Sequence, residues 1–123
     1  MRSNDVADII GAKLAAIHPR VYRQKAPSQR AFPYVVYRIE SVGDTYPSEE
    51  LYVNIDLYEA PTASVRTVET LADSIQAELN HKVIIENNTN LHFELEQRQS
   101  VDAQDLIDAY MINLRFVVRA YFI

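Results

Sequence analysis

The 123-residue chain is 48% hydrophobic, which supplies one core of ordinary size and predicts a single domain over residues 1–123 that folds unaided. It has no cysteine, so disulfides, thiolate zinc sites and cysteine nucleophiles are excluded. Seventeen acidic and twelve basic residues give a formal net charge of −5, which opposes the attraction to phosphates on which general DNA binding depends.

The first predicted element is a helix near the N-terminus. Val6, Ile10 and Leu14 recur at helical spacing after the candidate cap Ser3, and Pro19 ends the pattern. Acidic residues interrupt this stretch, and no later run is apolar for long enough to cross a bilayer. We therefore expect no signal peptide, no membrane span and synthesis in the cytosol.

Two strands and two connections are predicted next. A short strand covers residues 20–23, and an extended connection with a proline covers residues 24–32. Residues 33–40, with the sequence PYVVYRIE, are rich in strand formers, and a proline is acceptable at the first position of a strand. Residues 41–49 are predicted to form a turn-rich loop that is long enough to take part in docking.

The clearest alternation in the chain lies in residues 51–60, with the sequence LYVNIDLYEA. Apolar residues occupy every second position there, which predicts a strand with one face in the core. A second helix is predicted to follow, with Thr62 or Ser64 as its cap and an end near Asn80. The apolar stripe of this helix consists of Val65, Val68, Leu71, Ala72, Ile75 and Leu79.

The remaining residues predict further strands. Residues 81–90 hold a short edge strand, and residues 91–96 alternate as a strand should. A second docking loop is predicted at residues 97–106, before a long strand at residues 110–122. The order α-β-β-β-α-β-β predicts an α+β fold, in which two amphipathic helices pack on one face of a mostly antiparallel sheet of about five strands.

The other face of this predicted sheet carries tyrosines, charges and amides. Its members are Tyr52, Asn54, Asp56, Tyr58, Asn113, Arg115, Arg119 and Tyr121. Aromatic residues and arginine are enriched at protein interfaces. The same pattern also suits an ordinary solvated sheet face with tyrosines as strand formers. We interpret the face as an interface.

No motif in the sequence indicates catalysis or a cofactor. The histidines lack the i, i+4 partner of a helical zinc site, and two glycines cannot build a phosphate-binding loop. Asp102, Asp105 and Asp108 lack the glycine and the terminal glutamate of a calcium loop. Glu94 and Glu96 share a strand face, as an acid and base pair would, but exposed alternating glutamates need no such role. We expect no catalytic residue, no cofactor and no metal.

Six elements carry a resemblance to a known family. They are RVY at residues 20–22, AP at 26–27, PYVV at 33–36, NIDLY at 54–58, the helix at 64–79 and the closing strands at 91–122. In this order they resemble the tail completion or tail terminator proteins of long-tailed bacteriophages, and the resemblance covers most of the chain.

The resemblance implies a non-enzymatic ring subunit, typically of a hexamer, that caps the tail tube and joins it to the head connector. Its partners would be other copies of itself, the tail-tube protein and the head connector or stopper protein. The location would be the head–tail interface of the virion, with no membrane contact. DNA would pass through the ring lumen without specific binding, which suits an acidic chain.

The predicted subunit or tail interface joins the basic connection to the open sheet face. It consists of Gln24, Lys25, Arg30, Tyr52, Asp56, Tyr58, Arg115 and Arg119. The connection is too long for a tight turn and is hypothesised to reach an adjacent subunit or the tail tube. The alternatives are a neck or head-completion protein, a tail-tube subunit, and a small α+β enzyme of unknown substrate.

Overall fold

The chain forms an α+β fold, seen in a computed structural model. The structure describes residues 3–24, 31–45, 48–60, 64–86, 88–102 and 110–122. In these ranges the elements are α1 (Ser3–Ala15), β1 (Val21–Arg23), β2 (Tyr34–Thr45), β3 (Ser48–Glu59), α2 (Val65–Leu79), β4 (Val83–Glu86), β5 (Thr89–Asp102) and β6 (Tyr110–Phe122). The expected fold class is confirmed, with β4 as the short edge strand that brings the described sheet to six strands.

The strands form one mixed sheet in the order β1-β2-β3-β6-β5-β4. β1 runs parallel to β2, and every other neighbouring pair is antiparallel. β2 with β3, and β5 with β6, are long hairpins, whereas β3 and β6 are joined only through α2, β4 and β5. The two central strands are therefore neighbours in space that lie far apart in sequence.

Both helices pack on one face of the sheet, as predicted. α2 begins after Ser64, whose side chain accepts a hydrogen bond from the Arg66 amide at 3.2 Å. It packs against β3, β5 and β6, and α1 packs against β1 and β2. The core between them is made of the alternating apolar residues of the central strands and one stripe of each helix. Its largest fully buried side chains are Phe116, Ile10, Leu14, Leu51, Ile55, Leu57, Ile75, Leu79, Leu91, Ile112, Leu114 and Val6.

The sheet curls around the helices. α1 packs on β1 and β2 at one edge, yet Lys13 Nζ lies 3.6 Å from Glu86 Oε2 on β4 at the opposite edge. Both partners are well exposed, so the ion pair itself adds little stability. The position of the ion pair shows that the two edges of the sheet curve toward the same helix.

Two predicted loops are largely strand, so these predictions were wrong. β2 continues through residues 41–45, and β5 continues through residues 97–102. Both extensions are held by backbone pairing to the central strands, because β2 pairs with β3 down to Thr45 opposite Ser48, and β5 pairs with β6 down to Asp102 opposite Tyr110. Residues 41–43 and 97–100 are themselves exposed, and polar sequence is compatible with strand pairing at exposed positions. The connecting residues 46–47 and 103–109 lie outside the described residues.

A close contact between α1 and β2 requires a glycine. A Cβ on Gly11 would lie 2.5 Å from Tyr37 Oη, which is too close for any real Cβ contact. The Tyr37 hydroxyl donates to the Ala7 carbonyl at 3.2 Å. Burial raises the pKa of Tyr37, with Asp8 adding to the rise and Arg23 opposing it, so the hydroxyl keeps the proton that it donates.

Gly11→Ala should lower the free energy of unfolding by about 1–3 kcal/mol, because Tyr37 must move and its hydrogen bond is strained. Gly43→Ala is the matched control, since a Cβ there meets open space, and it should change stability by less than about 0.5 kcal/mol. Urea denaturation measures both. In a Tyr37→Phe background the cost of the Gly11 change should fall, and equal costs in both backgrounds would contradict the contact.

Candidate interaction surface

The sheet face opposite the helices is referred to here as the open face. Cross-strand register places its members side by side: Arg38 and Glu40 on β2; Tyr52, Asn54, Asp56 and Tyr58 on β3; Asn113, Arg115, Val117, Arg119 and Tyr121 on β6; and His92 and Glu94 on β5. In the described ranges both helices pack on the other face, so this surface is available to a partner.

Asp56 anchors one half of a polar network at the centre of the open face. Its carboxylate accepts a hydrogen bond from Arg38 Nη2 at 2.7 Å and another from Asn113 Nδ2 at 2.6 Å. Asp56 is only 4% exposed, whereas the Arg38 side chain is 46% exposed. The buried carboxylate is thus satisfied from both neighbouring strands, and the arginine that pairs with it stays within reach of solvent.

Asn54 anchors the other half. Its Oδ1 accepts from Arg115 Nε at 3.0 Å, and its Nδ2 donates to Glu40 Oε1 at 3.2 Å. The Arg115 guanidinium also lies over the Tyr52 ring, 4.7 Å from the centroid, and its Nη1 is 4.0 Å from Glu96 Oε1. Together the two halves link side chains of β2, β3, β6 and β5, so this polar surface is held in one arrangement.

Glu96 reaches this network because of a bulge in β5. The register with β6 shifts between Leu95 and Gln97, which leaves Glu96 as the extra residue. On the outer side of β5 the Leu95 amide donates to Asn80 Oδ1 at 2.9 Å, so a side chain at the end of α2 replaces the missing strand partner. This hydrogen bond holds the end of α2 to the outer edge of β5.

Aromatic rings cover one end of the open face. Tyr34 stacks on Tyr58 with ring centroids 4.8 Å apart, and Phe32 and Tyr22 contact the Tyr34 ring at 5.4 and 6.4 Å. Tyr34 itself is only 3% exposed. The cluster gives this end of the face a rigid, amphipathic surface of the kind that is enriched at protein interfaces.

A shallow depression of about 480 Å³ lies at the other end, between β5 and β6. Its lining consists of His92, Phe93, Glu94, Leu95, Glu96, Val117, Arg119 and Tyr121. The His92 and Tyr121 rings meet edge to face, with centroids 5.3 Å apart. Within the described part of the chain, no three histidine, aspartate or glutamate side chains come together as a metal site. The lining of the depression carries charges of both signs, from Glu94, Glu96 and Arg119.

The structure brings together most of the interface residues that the sequence predicts. Tyr52, Asp56 and Arg115 belong to the polar network, as the preceding contacts show. Tyr58 stands in the aromatic cluster at one end, and Arg119 lines the depression at the other end. Asp56 is nearly buried, so it can act on a partner only by holding its neighbours in place.

Gln24 is the one predicted residue of the basic connection that lies in the described ranges. Gln24 is exposed at the end of β1, where its backbone has a φ of 73° and its amide donates to the Tyr37 carbonyl at 2.9 Å. Lys25 and Arg30 lie outside the described residues. The part that the connection plays in an interface stays a prediction.

Sequence reasoning missed the contribution of β2 to the open face. Arg38 and Glu40 complete the network, and Tyr34 forms the centre of the aromatic cluster. The signal was present, because these residues alternate with Val35, Tyr37 and Ile39, which face the helices. Which strand lies beside β2 depends on long-range pairing, and local alternation does not reveal it.

Comparisons with known proteins indicate the fold. No protein-family model matches the chain, and no curated protein matches its sequence. A solved chain of the virion of a native gene transfer agent particle is similar in structure, with a TM-score of 0.67 and 18% identity, over 88% of this chain and 84% of that one. A second solved protein, whose name states no activity, has a TM-score of 0.68 and 12% identity over 100% of this chain and 99% of its own. Both likenesses span nearly whole chains, and at these identities they show the fold alone.

None of the helices in the described ranges combines the length and apolarity that a bilayer crossing needs.

Arg38→Ala should lower the free energy of unfolding by about 1–2 kcal/mol, because it leaves the buried Asp56 carboxylate with one partner in place of two. Arg98→Ala is the matched control. Arg98 donates to Asp73 at the same 2.7 Å on the helix side, but the Asp73 side chain is 69% exposed, so its loss should cost only a few tenths of a kcal/mol. If urea denaturation shows that both variants lose the same free energy of unfolding, the polar network does not stabilise the fold as described.

Proposed function

We propose that this protein is a structural component of a phage-like virion. More specifically, it is a ring subunit that caps the tail tube and joins it to the head connector. The observation that carries the proposal is the similarity to a chain of a gene transfer agent virion, which spans most of both chains. The sequence motifs that resemble tail terminator proteins support the finer assignment.

The open face supports a function in assembly. Tyrosines and arginines stand on this face beside acidic side chains, and hydrogen bonds across β2, β3 and β6 hold Arg38 and Arg115 in place before any partner arrives. A preorganised surface loses little conformational entropy on binding. Neighbouring copies in the ring, the tail-tube protein and the head connector are the proposed partners of this face.

The charge arrangement supports DNA passage without specific binding. Arg38 is paired with Asp56, and Arg115 is engaged by Asn54, Tyr52 and Glu96. These arginines are therefore partly compensated, and the chain as a whole is acidic. Both properties weaken the attraction to phosphates that would slow DNA in a channel.

The rival functions differ in what the protein must bind. A neck or head-completion protein would bind the portal side, and a tail-tube subunit would stack on itself without limit. An enzyme would use a concave site with convergent polar groups, for which the depression between β5 and β6 is the candidate among the described residues. We propose a non-enzymatic function, because the arginines and tyrosines of the open face are of the types that form strong contacts at protein interfaces.

Deletion of this gene from the phage or prophage that carries it is the direct test, with particles examined by electron microscopy and the gene supplied in trans as the control. We expect filled heads beside unattached tails of irregular length, because the tube would lack its terminator. Leaking heads beside tails of normal length would favour the neck protein, and the absence of tubes would favour the tube subunit. Unchanged infectious particles would overturn the proposal.

Complementation with single variants then locates the surface. Arg119→Glu changes an exposed residue of the open face, and Arg66→Glu makes the same change on an exposed part of α2. The first variant should fail to restore attached tails, and the second should restore them. Equal restoration by both would exclude this part of the open face from the interface.

A further inference from the structure

β4 exposes apolar side chains at the edge of the sheet. Val83 is 52% exposed and Ile85 is 67% exposed, and both lie on the side of the open face, opposite His92 and Asn90 of β5. Ile84 between them faces the helices and packs against the core. Exposed apolar residues on an edge strand favour pairing with another strand, which many proteins prevent with proline or charge at such positions.

The outer edge of β4 also has backbone N–H and C=O groups that can pair with another strand. The Phe93 amide donates to the Lys82 carbonyl at 2.9 Å, which fixes the alternation of the ladder with β5. Ile84 and Glu86 consequently bond to β5, whereas the N–H and C=O groups of Val83 and Ile85 point away from the sheet. No backbone group of the described residues bonds to these outward-pointing groups.

The sequence of β4 is complementary to itself in the antiparallel direction. Residues 82–86 read KVIIE, with a base at one end, an acid at the other and apolar residues between. When two copies pair about Ile84, each Lys82 lies opposite Glu86 of the other copy, and each Val83 lies opposite Ile85. The outward-pointing groups of Val83 and Ile85 then meet as hydrogen-bonded pairs, so the backbone and the side chains require the same register.

We propose that two copies of this protein form a two-fold symmetric dimer through β4, which joins their sheets into one. Four backbone hydrogen bonds link the strands, and Val83 and Ile85 of both copies form an apolar cluster on the side of the open face. Glu86, already 3.6 Å from Lys13 in its own chain, gains Lys82 of the second copy. The dimer does not depend on the proposed function, because it rests on β4 alone.

The occupant is a second copy because the charge pattern fits β4 itself. An unrelated strand would satisfy the backbone groups but would match the two end charges only by chance. The contact is a short strand pair, so the dimer is weak and forms at high protein concentration. Monomer and dimer should therefore be in an equilibrium that depends on protein concentration, and this equilibrium can be measured.

Sedimentation equilibrium over a range of concentrations should show the 14.1 kDa chain shifting toward twice its mass. Ile85→Lys places a charge in the apolar cluster and should weaken dimerisation at least tenfold. Val65→Lys is the matched control, because Val65 is 44% exposed on α2, and it should dimerise as the unaltered chain does. Thermal unfolding checks that both variants are folded.

A charge reversal tests the register. Lys82→Glu places a second carboxylate opposite Glu86 of the other copy and should weaken the dimer. Adding Glu86→Lys should restore it, because opposite charges then face each other again. Hydrogen exchange adds an independent readout. The amides of Val83 and Ile85 should gain protection as concentration rises, while those of Ile84 and Glu86 should stay unchanged. A monomer at every concentration, or a dimer that resists these substitutions, would overturn the proposal.

Discussion

The pairing of β3 with β6 is the constraint on which the rest of the structure depends. Leu51 lies opposite Val118, Val53 opposite Phe116, and the series continues through Leu57 opposite Ile112, with every member fully buried. Burying each side chain of this size contributes about 1.5–3 kcal/mol. Because side chains alternate along a strand, the same pairing sends every intervening residue to the open face. The register of β3 with β6 therefore determines both which residues form the core and which residues form the candidate surface.

The polar network reinforces that register from the other side. Asp56 is opposite Asn113, and Asn54 is opposite Arg115, so each hydrogen bond across the face exists only when the apolar pairs are also aligned. A slip by one residue would bury Asp56 in the core, and a slip by two would leave it without these partners. Hydrophobic burial supplies most of the stability, and the network adds specificity for a single alignment.

The sequence predicts those parts of the fold in which one face is buried and the other is not. The alternation in β3 and β6 and the apolar stripe of α2 identified these elements and the helix-covered face. The ends of β2 and β5 were interpreted as loops, because residues 41–45 and 97–102 are polar and their pairing partners lie on other strands. The candidate surface was predicted for β3 and β6, but Arg38, Glu40 and Tyr34 were missed, since nothing local indicates that β2 lies beside β3. The curl of the sheet depends on the contacts of both sheet edges with α1. These contacts join residues far apart in sequence, so local sequence patterns do not predict them.

These features favour assembly as the purpose of the open face. The polar network specifies the register, and the guanidinium held over a ring and the stacked tyrosine pair add aromatic and arginine groups to the same face. Arginine and tyrosine are among the residues that form strong contacts at interfaces. The β4 edge is a separate surface, with backbone groups and apolar side chains in place of a polar network.

The central claim is that the open face of β3 and β6 is a contact surface inside a virion. An electron cryomicroscopy map of the particle that contains this protein tests it most directly. The account predicts density for this chain at the junction of head and tail, with Tyr52, Arg115 and Arg119 buried against a neighbouring subunit. A particle that lacks the chain, or one in which these side chains face solvent, would contradict the account.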